Sequence, residues 1–111
     1  MNEPALLADG KRTTRILLEL GIPAHRAGYK YLCVAISAYT KENPQSFTKE
    51  LYPFIAKAAH TSDWKAVEHG IRQVILAGWK YGSKARWHVY FPGIIKAPTS
   101  KQFIATIAEY I

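Results

Sequence analysis

Apolar residues along this chain recur mostly at three- and four-residue intervals, the period of a helix buried on one side, and Gly and Pro break the runs. Ile16, Leu17 and Leu20 share one side of a helix predicted over 13–20, with Thr13 or Thr14 to cap it and Gly21 to stop it. Pro23 then opens a short turn over 22–28. Leu32, Ile36 and Tyr39 follow at i, i+4 and i+7, predicting a second helix over 29–41 that the Asn43-Pro44 pair ends. A third helix follows Ser46 or Thr48 and runs to Ala59. Pro53 falls within it, so either the helix starts near Tyr52 with Pro53 in its first turn, or Pro53 kinks a longer one. The longest stripe, Trp64, Val67, Ile71, Ile75 and Gly78, predicts a helix over 63–81 stopped by Gly82, with Gly78 allowing close helix approach. Thr99 and Gln102 have capping-box spacing ahead of Phe103, Ile104, Ile107 and Ile111. This last helix offers its stripe to the core, with a dimer contact as the alternative.

Segment 83–97 breaks the pattern. It combines β-favouring Trp87, Val89, Tyr90 and Phe91 with a Pro92-Gly93 turn signal, which reads as a loop packed by its aromatics or as a small hairpin. No repeat, low-complexity stretch or linker divides the chain. The expectation is therefore one all-α domain over 1–111, a bundle of five to six helices, with 1–12 as a flexible N-terminal arm.

Composition supports a packed core. Hydrophobic residues make up 49% of the 111, and aromatics 13%, which excludes a disordered tail. The single Cys33 forms neither an internal disulfide nor a CxxC pair, and it reads as a small packed residue. No run of about 20 apolar residues spans a bilayer, and the first ten residues lack the basic n-region of a secretion signal. The cytosol is the expected compartment. His25, His60, His69 and His88 show no metal-ligand spacing, so no metal is expected. No catalytic constellation, phosphate loop or cofactor motif is present either, which points away from an enzyme.

Charge sharpens the picture. The net charge is +7, and from Trp64 to Lys101 seven cations (Lys65, Arg72, Lys80, Lys84, Arg86, Lys96, Lys101) face one acid, Glu68. Opposite the apolar stripe of the 63–81 helix lie Lys65, Glu68, His69, Arg72 and Gln73. Arg pairs bidentately with guanine, Glu accepts from cytosine and Gln addresses adenine, so this face has the composition of a major-groove reader as well as of a solvated helix face. A short apolar helix over 51–59 and a tight His60-Thr61-Ser62 turn precede it, which together make a helix-turn-helix. Trp79 belongs on the apolar side of the long helix. Trp87, among Lys84, Arg86 and His88, is open to the core, to DNA or to a partner.

The run from Leu18 to Ser37, with its Gly21-Ile22-Pro23-Ala24-His25 and Gly28-Tyr29-Lys30-Tyr31-Leu32 segments, resembles the opening of the C-terminal effector domain of the sporulation master response regulator. The likeness continues through Thr48-Lys49, Leu51-Tyr52-Pro53, Ile55-Ala56-Lys57, Val67-Glu68, Ile71-Arg72, Ala77 and Trp79, and ends in Ala97-Pro98-Thr99 and Phe103-Ile104-Ala105. The resemblance implies an all-helical, winged-helix-like transcription regulator that binds double-stranded DNA, in the bacterial nucleoid, at a TGTCGAA-like box. In that family Tyr-Pro lies inside the first helix of the helix-turn-helix, and a Glu-Arg-x-x-Arg pattern on the next helix contacts bases. Glu68 and Arg72 match it, whereas His69 stands where the family has Arg. Lys65, Glu68, His69, Arg72 and Gln73 are thus the expected base readers. His25, Thr61, Ser62, Lys80, Lys84, Arg86, Lys96 and Lys101 are the expected phosphate contacts.

The chain departs from the family in three places. The turn between Ala56 and Val67 is one residue longer, so Lys65 and Ala66 have no fixed counterpart. The family's receiver domain with its phospho-acceptor Asp is not represented in these residues. The family segment that touches the polymerase sigma subunit corresponds to 82–97, which is shorter and unlike it. Activation, repression and competition for shared sites stay open, as does a homodimer on DNA. The rival reading is an interaction module that keeps the fold but binds a sigma factor or a full-length family member.

Overall fold

The structure is a computed structural model that describes the backbone over 3–42, 46–60 and 63–111, and the side chains of 10–41, 46–60 and 63–111. The elements in order are α1 (Glu3–Glu19), α2 (Ala27–Glu42), a π-helical turn (Phe47–Leu51), α3 (Tyr52–Ala58), α4 (Trp64–Tyr81), α5 (Lys84–Tyr90) and α6 (Ser100–Ala108). No strand occurs among the described residues. The all-α expectation holds, and α5 occupies the place where a wing or hairpin would have been built.

α2 is the hub, lying against α1, α4 and α6. Ile16, Leu17 and Leu20 of α1, Leu32 and Ile36 of α2, Val67, Ile71 and Ile75 of α4, and Phe103, Ile104 and Ile107 of α6 are all buried in one cluster. Each such side chain contributes about 1.5–3 kcal/mol on leaving water. The stripe of α6 is thereby used in the core.

α1 ends as its sequence demands. Gly21 takes φ +75, the Gly21 N–H donates to the Leu18 carbonyl at 3.0 Å and the Ile22 N–H to the Leu17 carbonyl at 3.0 Å. These are the two hydrogen bonds of a Schellman motif, with Leu17 and Ile22 both buried beside it. Its start corrects the expected helix boundary, because the helix begins at Glu3 rather than near Thr13. Ala5, Leu6, Leu7 and Ala8 are strong helix formers by sequence, and one Gly at position 10, costing about 1 kcal/mol, does not interrupt them. The expected stop at Asn43-Pro44 lies outside the described residues.

Pro53 sits in the first turn of α3, the first of the two arrangements its position allowed. Immediately before it, the Leu51 N–H reaches back five residues to the Ser46 carbonyl at 3.2 Å. This wider turn leads into the place where proline supplies no N–H to an α-type ladder.

The expected loop or hairpin over 83–97 is corrected over its first half. Lys84–Tyr90 is helical, with the Ser83 hydroxyl accepting from the Arg86 N–H at 3.3 Å. Trp87 explains it. Its ring is fully buried against Phe91 and Phe103, and its Nε1 donates to the carbonyls of Leu20 at 3.0 Å and Gly78 at 3.1 Å. Seven residues do not hold a helix alone, so the burial of this one side chain carries it. Trp87 is therefore a core residue and is closed to DNA, whereas Trp79 is half-buried, edge-on to it at 5.4 Å.

Candidate nucleic-acid interface

α3, the turn and α4 form the helix-turn-helix. The turn begins with His60 in the left-handed region, φ 60, after the Ala59 N–H has bonded back to the Ile55 carbonyl at 2.8 Å. Thr61 and Ser62, two expected phosphate contacts, lie outside the described residues. Asp63 caps α4 by accepting from the Lys65 N–H at 2.9 Å.

Aromatic contacts set the angle between the two helices. Tyr52 at the start of α3 stacks on Trp64 at the start of α4, with centroids 6.4 Å apart and planes 6° from parallel. Phe47 packs on Tyr52 at 5.9 Å, and Tyr39 of α2 on Phe47 at 5.7 Å. Burial raises the Tyr52 pKa to about 12, helped by the nearby Glu68 charge and opposed by a hydrogen bond with Ser100. The phenol therefore stays neutral and ties α3 to the start of α6. On the other side, α2 meets α4 where Gly28 faces Gly70. A Cβ on Gly28 would collide with the Gly70 carbonyl, and one on Gly70 would lie 3.2 Å from the Tyr31 ring.

These supports leave one side of α4 open. At 100° per residue, Lys65, His69 and Arg72 fall within about 60° of arc, flanked by Glu68 on one side and Gln73 on the other. Lys65, His69, Arg72 and Gln73 are exposed, and Glu68 is half-buried toward Tyr52. Among the described residues, no hydrogen bond or ion pair engages the side chains of His69, Arg72 or Gln73. All five expected base readers thus lie within the first ten residues of one helix.

The expected phosphate contacts divide into two groups. Lys101 lies beside the aromatic contacts at the start of α3, since its Nζ lies 5.7 Å from the Phe47 ring centroid. His25 is exposed in the turn before α2, three residues from the Gly28–Gly70 contact. Lys80, Lys84, Arg86 and Lys96 lie elsewhere. Lys80 is about 22 Å along the axis from Lys65 at 1.5 Å per residue. Lys84 donates to the Trp79 carbonyl and sits over the Trp79 ring, 4.3 Å from its centroid, so its ammonium closes the C-terminal end of α4. Arg86 is exposed on α5, and Lys96 is exposed in the loop that follows. Two further cations, Arg26 before α2 and Lys49 in the π turn, are exposed as well.

The rest of the molecule offers little other chemistry. No group of three His, Cys, Asp or Glu that could hold a metal occurs among the described residues. Burial pushes the half-buried Cys33 thiol up, away from thiolate reactivity. No helix among the described residues is long and apolar enough to cross a membrane.

A comparison with protein families matches residues 13–111 to the family described as sporulation initiation factor Spo0A C terminal. The match takes in the last seven residues of α1, the whole of α2 to α6 and every charged residue of the open α4 face.

Proposed function

The chain belongs to the Spo0A C-terminal family, a family of DNA-binding effector domains, and on that premise we propose that it is a sequence-specific regulator that reads a short duplex site with α4 in the major groove. The observation that carries the reading is the convergence of Lys65, Glu68, His69, Arg72 and Gln73 on one open face whose angle to α3 is held by the Tyr52–Trp64 stack. Arg72 pairs with a guanine edge, Glu68 accepts from a cytosine amino group and Gln73 addresses an adenine. Lys65 and His69 reach the adjoining base or phosphate. His69 replaces an arginine of the family pattern, so the preferred base at that one position differs. Phosphates are met first by Lys101 and His25 at the recognition end, and their contribution is independent of sequence. Such a regulator works in the bacterial nucleoid.

Binding of the purified chain to a duplex carrying a TGTCGAA-like box, beside a scrambled duplex at two salt concentrations, tests this. A preference for the box that survives the higher salt is expected. Equal and salt-sensitive binding to both duplexes would leave only the electrostatic part of the proposal standing. Absence of binding to either would favour the protein-interaction reading, in which a sigma factor or another family member takes the place of DNA.

A further inference from the structure

A second feature of the surface lies between α2 and α3. Two adjoining hollows there, of about 400 and 320 Å³, share Val34 in their walls. Tyr31, Ile55, Ala58 and Ala59 line the first, and Ser37, Ala38 and Phe54 line the second. Along α2 the lining positions 27, 30, 34, 37 and 41 recur at three- and four-residue steps. They form one face about 21 Å long at 1.5 Å per residue. Val34 is 37% exposed and Phe54 53% exposed, an apolar floor that the fold leaves uncovered.

Among the described residues, the charged side chains that line this floor are both lysines. Lys30 lines the first hollow and Lys41 the second, and no carboxylate among the described residues lines either. Lys57, one turn beyond Phe54 on α3, is exposed as well. No residue of α4 takes part, so the groove is distinct from the face assigned to DNA. The lysines of the two hollows are separated by about 16 Å of helix, with apolar surface between them. A phosphate backbone needs cations and donors along its whole length, and this groove has them only at its ends.

From this arrangement we propose that the α2–α3 groove docks an acidic amphipathic helix of a protein partner. The partner places apolar residues at i, i+3, i+4 and i+7 against Val34 and Phe54, and carboxylates against Lys30 and Lys41. The alanines of the floor let a helix backbone come close, and the length of the face accommodates about four turns. A second copy of the chain is a poor occupant, because fifteen Lys and Arg against eight Asp and Glu give it the wrong charge. The contact area is small, so micromolar affinity is expected.

The probe is a synthetic 16-residue helical peptide with leucines at those four positions and glutamates toward both ends. A second peptide carries lysine at every glutamate position. With the isotope-labelled chain, the acidic peptide is expected to shift amide resonances around Val34, Phe54 and Ala58, and to bind at least tenfold more tightly than the basic one. Val34→Asp is expected to weaken it at least tenfold while leaving helicity and DNA affinity unchanged, and Phe54→Ser serves if that variant loses helicity. The double charge reversal Lys30→Glu with Lys41→Glu should exchange the preference between the two peptides. The proposal is overturned if neither peptide binds, if both bind equally, or if the shifts map to α4, where an acidic peptide would merely imitate DNA. Self-association of the peptide-free chain that Val34→Asp abolishes would also overturn it, in favour of a second copy.

Discussion

The two ends of α4 are built for opposite purposes. At its C-terminal end, Gly78 and Gly82 admit the end of α1, Trp87 sends its Nε1 to the Leu20 and Gly78 carbonyls, and Lys84 covers the last turn. The carbonyls of Leu20, Gly78 and Trp79 there all accept hydrogen bonds within the protein. At its N-terminal end the supports come from behind and from one side only, through Tyr52, Gly28 and the Asp63 cap. The side chains of His69, Arg72 and Gln73 have no hydrogen-bond or ion-pair partner among the described residues. A helix held firmly at one end and open at the other can present its side chains to a ligand without rearranging, and this lowers the entropic cost of binding. Positive charge by itself does not separate the ends, because Lys80 and Lys84 lie at the closed one.

The contrast can be broken most forcefully at the closed end. Trp87→Ala is expected to cost about 3–5 kcal/mol in chemical denaturation, removing the anchor of α5 and two hydrogen bonds at once. A loss below about 1 kcal/mol would mean that α5 is held by something else. At the open end Arg72→Ala should leave stability within about 0.5 kcal/mol, yet lower affinity for the preferred duplex by about 1–3 kcal/mol, with little change on scrambled DNA. Equal losses on both duplexes would remove Arg72 from base reading.

The next two changes compare lysines across the ends. Lys84→Ala should lower stability by about 1 kcal/mol, through the lost cap and ring contact, and leave the salt dependence of DNA binding as it was. Lys101→Ala should do the reverse, reducing the slope of log affinity against log salt by about one with stability unchanged. A reduced slope for Lys84→Ala would extend the DNA footprint to the closed end. The smallest effect is a gain. His60→Gly relieves a left-handed residue in the turn and should stabilise the chain by about 1 kcal/mol, as a rise in the denaturation midpoint. A drop would show that the His60 side chain supports the turn.

Much of the fold could be read along the chain because the information is local. Gly21 behind Leu17 and Leu20, Gly82 after Tyr81, and Thr99 with Gln102 each announce a helix end within a few residues. The open face of α4 was legible for the same reason, since five polar residues at helical spacing opposite an apolar stripe need only a helix to meet. α5 was not legible. Trp87, Val89, Tyr90 and Phe91 favour strands, and a ring buried among residues 20, 78, 91 and 103 overrides that preference. Lys84 was unreadable in the same way, because one exposed lysine looks like another until the Trp79 ring and carbonyl come beneath it.

By itself, then, the sequence determined the helical class, most helix ends, the family and the composition of the reading face, because periodicity, caps and family motifs act over short stretches of chain. Tertiary structure alone decided the helicity of 84–90, the division of the cations between the two ends of α4, and the groove between α2 and α3. Each of these depends on residues far apart in the chain being brought within a few ångströms, and no local pattern records such a distance.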